Sequence, residues 1–416
     1  MDKEKKIFVF ADFQPYHEEI IGTIYVSQTR GKEFYSFEYD QKWLEKGNMI
    51  LDPDLQMYKG RQYIHDDKKI FGVFADSCPD RWGQRLMKRR EELRAKNAGE
   101  KPRKLLDSDY LLGVYDEARM GGLRFKTELE GEFLSNDREF ATPPWTSLRE
   151  LEQASIAFEN DEKGLNEKWL KQLLAPGSSL GGARPKASVL ATDGSLWIAK
   201  FPSKHDDFNS GAWEMVVHEL AVMCGLNVPE AKAEKFSRLG TTFLVKRFDR
   251  IESRRIHFSS AMTMLAKKDG ANAADGSSYL EIVSFLKANG ATPKKDIHEL
   301  WKRIVFSMAV SNTDDHFRNH GFILEEKGWV LSPMYDVNPD IYGEFLSLNV
   351  DEDNSAIDFD LAIEAAPYYE ISTEQAKKNV TAIRKTVADN WRSLAGKYGI
   401  SRGEIERMCP AFQGDV

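Results

Sequence analysis

Residues 296–310, DIHELWKRIVFSMAV, constrain the fold more than any other stretch of the chain. Ile297, Leu300, Trp301, Ile304, Val305, Met308 and Ala309 recur at helical spacing and form one continuous apolar stripe. A stripe of that breadth has to be buried, so a helix is expected at the centre of a core. The helix runs directly into a polar stretch, SNTDDHFRNH (311–320). Two apolar runs follow, Gly321–Leu324 and Trp329–Leu331, which read as strands. A polar loop clamped between buried scaffold elements is a favoured place for chemistry.

Within that loop Asp314 and Asn319 lie five apart (319 − 314), in the pattern D-x-x-x-x-N. Asp336, in PMYDVNPD, follows seventeen later (336 − 319), just past a strand. Phosphoryl transfer uses such a set: one carboxylate takes the nucleophile's proton, while an amide oxygen and a second carboxylate hold Mg2+ on the ATP phosphates. On that reading Asp314 is the candidate base, Asn319 and Asp336 are metal ligands, and His316 braces the loop. Asp315 is a rival for either carboxylate role. The same residues also suit ordinary Asx turns, and D-x-x-x-x-N alone is a weak signal.

Other parts of a phosphotransferase can be sought upstream. Lys200 sits mid-strand in WIAKF, where it can neutralise phosphates or simply face solvent. A partner acid is expected on helix 210–224, with Glu214 preferred to Glu219. The loop GSSLGGARPK (177–186) is Gly-rich and directly precedes a strand. Backbone N–H groups freed by Gly181 and Gly182 can cradle phosphate oxygens, or the loop is a plain connector. The parts then come in the order Gly-rich loop, strand lysine, acidic helix, strand pair, helix, D-x-x-x-x-N, strand, Asp. That is the order in a two-lobed kinase, although H-R-D, D-F-G and A-P-E are all absent.

The rest of the chain gives these parts a frame. Ile7–Phe10, Ile20–Val26 and Glu33–Tyr39 read as strands, with a turn at 29–32, and a Pro-Asp turn leads into a helix within 70–93. Turn formers over 136–147 read as a linker, followed by helices at 148–158 and 167–174. Asp193-Gly194 joins the strands 186–192 and 195–201 as a hairpin. Two further strands are expected at 231–236 and 241–245. Ser278 with Glu281, and Ser401 with Glu404, read as capping boxes, and helices are expected at 358–366, 373–391 and 401–408. The fold class is therefore α+β, a two-lobed kinase-like fold. Its expected parts are a β-rich N-terminal subdomain (1–145), a second N-lobe subdomain (146–250) and a helical C-terminal subdomain (251–416).

The net charge is −8 and the pI about 5.7, which argues against a protein that grips DNA over its whole surface. The exception is 86–106, LMKRREELRAKNAGEKPRKLL, a dense basic run. It reads first as a solvated helix followed by a loop, with a surface for nucleic acid or an acidic partner as the alternative. Cys78, Cys224 and Cys409 are far apart and show no metal-ligand spacing, as in a reduced, cytoplasmic protein. No apolar run approaches the ~20 residues of a membrane helix, and the start, MDKEKKIFVFADF, reads as no signal peptide.

At specific stretches the chain resembles the HipA family, the kinase toxins of bacterial HipBA-type toxin–antitoxin modules. These are SCPDRWGQRLM (77–87), SLGGARPK (179–186), IAKFP (198–202), RRIHFSSAMTML (254–265), SNTDDHFRN (311–319) and SPMYDVNP (332–339). The resemblance implies a serine/threonine protein kinase using ATP and Mg2+. Asp314 is similar to the family's base, Asn319 and Asp336 to its metal ligands, and Lys200 to its phosphate-binding lysine. His316 belongs to the same nucleotide site, and adenine would sit against a hinge near Lys246–Phe248. Ser179 matches the autophosphorylated serine of the Ser-φ-x-Gly-x-x-x-Lys loop, φ being apolar, with Ser178 as second choice. The implied partners are a bacterial protein substrate, of translation-factor or aminoacyl-tRNA synthetase kind, and a helix-turn-helix antitoxin like HipB. DNA would then be contacted only through the antitoxin, and no membrane is implied. The alternatives are a small-molecule or phosphoinositide-like kinase, which shares D-x-x-x-x-N, and an inactive co-repressor or interaction module.

Overall fold

The computed structural model describes residues 4–47, 49–64, 68–138, 141–160, 173 and 182–412. The chain divides into two compact units, Met1–Ala199 with Asp249–Ser259, and Lys200–Phe248 with Ser260–Val416. The expected helix 167–174 and Gly-rich residues 177–181 lie outside the described residues, Leu173 excepted.

The first unit is built on a five-stranded antiparallel sheet with order β4-β3-β2-β1-β5. Its strands are β1 (Lys5–Phe13), β2 (Tyr16–Thr29), β3 (Lys32–Tyr39), β4 (Gln62–Tyr63) and β5 (Leu123–Lys126). At the β2–β3 turn Arg30 and Gly31 both take positive φ, 52° and 75°. That type I′ geometry matches the twist of the flanking strands. Ile7, Val9, Ile24, Phe37, Phe74 and Phe125 are fully or almost fully buried and form the core on one face. Arg119 is buried with them, and its guanidinium donates to the carbonyls of Ser77, Val114 and Leu134 at 3.0–3.1 Å. Desolvation pushes its pKa down to about 10, although Asp116 pulls the other way. The segment 249–259 is anchored in this unit by Asp249, which accepts from Gly121 N at 2.8 Å, and by Arg255, which donates to Asp116 O at 2.7 Å.

Helix α1 (Arg81–Ala98) begins at Asp80, whose Oδ1 accepts from Gly83 N at 2.8 Å, and ends at left-handed Gly99. The other Asp80 oxygen lies 2.8 Å from Lys186 Nζ, and both side chains are almost fully buried. Lys186 opens β6 (Lys186–Leu190), which neighbours β7 (Leu196–Lys200) across the Asp193-Gly194 turn.

The second unit is organised as the apolar stripe requires. Helix α3 (Pro293–Ala309) buries Ile297, Leu300, Trp301, Ile304, Val305, Met308 and Ala309 completely. Around it pack α2 (Ser210–Met223) and α4 (Thr373–Lys397), whose Trp213 and Trp391 share one cluster with Phe412. The capping box at Ser278 is present with both bonds. The one expected at Ser401 is only half formed: its hydroxyl accepts from Glu404 N, but the Glu404 carboxylate instead receives Asn209 N and Trp213 Nε1. A tertiary demand on Glu404 overrides the local pattern. The C-terminal helices enclose a hairpin, β10 (Gly321–Glu325) with β11 (Gly328–Leu331). A second hairpin pairs β8 (Ala231–Glu234) with β9 (Thr242–Lys246). Among the described residues no helix is long and apolar enough to cross a membrane.

Candidate active site

Lys200, at the end of β7, is the first element of the site. Its Nζ lies 2.5 Å from Glu214 Oε1 and 2.6 Å from Asp336 Oδ1. Glu214 is held on α2 by close packing: a Cβ at Gly211 would collide with the Thr241 carbonyl oxygen, so only glycine lets the helix approach this near. Asn209 fixes the same junction, accepting from Thr241 N at 2.9 Å. Burial works to lower the Lys200 pKa, but Asp336 and Glu214 together raise it above its ordinary value, so the ammonium is fully charged. Glu219, the rival acid, instead binds Lys397 and Tyr398.

Asp336 sits at φ 58°, a left-handed conformation that costs a non-glycine residue about 1 kcal/mol. Its bond to Lys200 helps to hold that conformation. Strain kept in place by neighbouring bonds is a mark of functional positions.

The loop after α3 is tied down on both sides. Asn312 N donates to Ser307 O at 2.8 Å, and Thr313 Oγ1 donates to Asp340 Oδ2 at 2.8 Å. Ser347 Oγ donates to Thr313 O at 2.7 Å, and Tyr335 OH to Arg318 O at 2.9 Å. Asp314 stands at the open tip, with 83% of its side chain exposed. Its carboxyl nevertheless lies above its ordinary pKa: partial desolvation raises it, as do the charges of Asp336, Asp315 and Asp340, against the pull of His316. His316 Nε2 is 3.7 Å from Asp314 Oδ1.

Asn319 is buried, and its Nδ2 donates to Asp314 O at 2.7 Å. That bond fixes the orientation of the amide and leaves Oδ1 buried with no hydrogen-bond donor among the described residues. A carbonyl oxygen without a donor, together with a carboxylate, is the donor chemistry a hard cation such as Mg2+ takes. The Asn319 amide oxygen and the Asp336 carboxylate are therefore donor types that suit such an ion.

The hinge candidates are in the same unit. The Phe248 ring packs on Tyr335 at 5.7 Å between centroids. The Lys246 backbone N–H already donates to Glu230 O at 2.8 Å, so that amide is not free for a ligand. Gly182 belongs to the first unit and has φ 97°, while Gly181, Ser178 and Ser179 lie outside the described residues.

The residue that braces the loop is Asp315. It is fully buried and accepts from Tyr279 OH at 2.8 Å, with His320 Nε2 at 2.9 Å. Burial would raise its pKa, but His320 and Tyr279 hold it below the ordinary carboxylate value. No local pattern marks Tyr279 or His320, because the contacts span up to 36 residues. The Asp80–Lys186 pair was equally hidden, although each partner lies in a motif stretch quoted above.

Comparison with known proteins identifies the family. The family profile described as the HipA-like C-terminal domain matches residues 178–391, and that of the HipA N-terminal domain matches 16–102. Y4mE of Sinorhizobium fredii, provisionally named a kinase, is 28% identical over 256 residues, covering 55% of this chain and 53% of its own. A provisionally named kinase of Haemophilus influenzae is 26% identical over 182 residues, covering 38% of this chain and 52% of its own. This chain thus spans about half the length of these curated relatives. Among solved structures, the Shewanella oneidensis HipA toxin–antitoxin complex with HipB and operator DNA matches with a TM-score of 0.66. That match covers 98% of this chain and 95% of the other, and at 16% identity the likeness is one of fold.

Proposed function

This chain belongs to the HipA family, and from that membership we propose that it is an ATP- and Mg2+-dependent serine/threonine protein kinase, the toxin of a toxin–antitoxin pair. The observation that carries the reading is the placement of Lys200 between Glu214 and Asp336, in the unit that also holds Asp314 and the free Asn319 oxygen. Lys200 neutralises phosphate charge, and Glu214 keeps it oriented. Asn319 and Asp336 would hold Mg2+, which when bound would offset the charge that develops on the phosphates. Asp314 takes the proton of the acceptor hydroxyl as that oxygen bonds to the γ-phosphorus and the bond to the ADP oxygen breaks. A carboxylate with a raised pKa is the better proton acceptor. Lys246, Phe248 and His316 complete the nucleotide site, with adenine beside Phe248. Gly181 and Gly182 are the proposed phosphate-binding glycines, and Ser179, or Ser178, the proposed autophosphorylation site.

The three-part division at residues 145 and 250 belongs to this reading, as does a cytoplasmic setting. So does a HipB-like helix-turn-helix partner, through which operator DNA would be met. The Shewanella HipA complex with HipB and operator DNA supports that partner. Calorimetry with ATP tests the nucleotide site. Binding is expected to need Mg2+ and to be lost in Lys200→Met; Mg2+-independent binding unaffected by that change would refute the assignment.

A further inference from the structure

Residues 86–106 carry eight Lys and Arg against three Glu, in a chain whose net charge is −8. The structure places part of this run along a cleft of about 1220 Å³ that lies wholly within the first unit. Lys88 of α1 and Lys104 line one side. Lys32 and Phe34 of β3, Tyr63 of β4 and Lys69 line the rest. Distant segments thus converge to concentrate positive charge that the sequence scatters.

All four lysines are exposed, and none has an ion-pair partner among the described residues. Three of the four carboxylates of the cleft have partners beyond these lysines. Glu33 accepts from Ser108 N at 3.0 Å and Ser108 Oγ at 2.6 Å. Glu91 takes Arg94 at 2.9 Å, and Glu92 takes Arg89 at 3.2 Å. Burial pushes the Asp107 carboxyl up, against the pull of Lys69 and Lys104. Six Lys and Arg side chains line the cleft against four Asp and Glu, so its formal charge is positive (6 − 4).

Phe34 and Tyr63 are 56% and 60% exposed. Neither ring stacks on another or carries a cation among the described residues. Tyr63 is paired with Ser36, and Phe34 precedes Ser36 by two residues, so the two rings share one face of the sheet. Diagonal neighbours of this kind are roughly 7–8 Å apart. Free aromatic faces beside unpaired lysines match the demands of single strands, whose bases stack on rings while phosphates follow the cations. An acidic peptide would use the lysines and leave the rings idle. A duplex keeps its base faces stacked on one another, out of reach of both rings.

We propose that this cleft binds single-stranded nucleic acid, with Lys32, Lys69, Lys88 and Lys104 on the phosphates and Phe34 and Tyr63 stacked on bases. Binding here does not depend on phosphoryl transfer at the other unit.

Fluorescence anisotropy of the full chain with labelled oligo-U and oligo-dT tests this, with a duplex and a labelled poly-glutamate peptide as parallel arms. Single strands are expected to bind best, with affinity falling by about 0.7 log units per log of salt for each phosphate contacted. The combined variant Lys69→Glu, Lys88→Glu, Lys104→Glu should weaken binding more than about tenfold and flatten the salt dependence. Phe34→Ala and Tyr63→Ala should each cost about fivefold or more while leaving the salt dependence in place. Because the substituted side chains are exposed, melting temperatures should stay unchanged and exclude unfolding as the cause. The inference is overturned if no single strand binds, or if the lysine variant binds like the wild type. It is equally overturned if the aromatic variants bind like the wild type, or if duplex or poly-glutamate binds as tightly as the single strands.

Discussion

Lys200 Nζ lies 2.6 Å from the Asp336 carboxylate, although 136 residues separate them in the chain. The same ammonium lies 2.5 Å from Glu214, so one cation stands between two carboxylates that would otherwise repel each other. Replacing it by Met removes the cation from between these two carboxylates. Lys200→Met should therefore lose about 3 kcal/mol of stability in urea denaturation. Adding Glu214→Gln should restore part of that loss, because the two effects are coupled. Strictly additive losses would show that the pair does not form.

Asp314 gives a pH-dependent prediction with a definite sign. Its folded-state pKa is raised above 3.8, so the fold disfavours the ionised form. The carboxylate then costs stability at neutral pH, and the cost fades as pH falls through the folded value toward the unfolded one. Asp314→Asn should melt at a higher temperature than wild type near pH 8, with the gain shrinking toward acid. A lower melting temperature at neutral pH would contradict this.

Asp315 behaves in the opposite way. Its folded-state pKa is held below 3.8 by His320 and Tyr279, against its own burial. Its contribution is fully present above pH 3.8 and is lost as pH falls through the lower, folded value. Asp315→Ala should destabilise by about 3–5 kcal/mol near neutral pH, since it strands buried partners. Scanning calorimetry of Asp315→Ala and Tyr279→Phe measures this, with the second costing about 1 kcal/mol.

In the first unit the buried Asp80–Lys186 pair joins the start of α1 to the start of β6. Asp80→Ala removes both the ion pair and the helix cap. The expected loss is about 3–5 kcal/mol for the pair and about 1 kcal/mol for the cap. Asp80→Asn, which keeps a capping oxygen, should lose less. Equal losses in the two variants would assign the whole effect to the cap or to packing.

Much of this was legible in the sequence where periodicity or turn chemistry acts locally. The stripe from Ile297 to Ala309 is fully buried, the β2–β3 turn falls at Arg30-Gly31, and the Ser278 capping box forms. Spacing also singled out Asp314, Asn319 and Asp336, and motif order pointed to Lys200 with Glu214. What stayed hidden depends on contacts between distant segments. By spacing alone Asp315 is a rival for either carboxylate role, whereas the fold binds it to Tyr279 and His320. Glu404 looked like a capping residue until Trp213 and Asn209 claimed its carboxylate. The basic run 86–106 is the helix and loop its sequence predicts, but Phe34 and Tyr63, which share its cleft, lie far away in the sequence.

Transfer of labelled γ-phosphate from ATP in the presence of Mg2+ is the most direct test of the central claim. Wild-type protein should label itself or a protein of a bacterial lysate, and Asp314→Ala should slow that transfer about a hundredfold or more. Absence of any transfer by the wild type, or transfer by Asp314→Ala at an undiminished rate, would contradict the account.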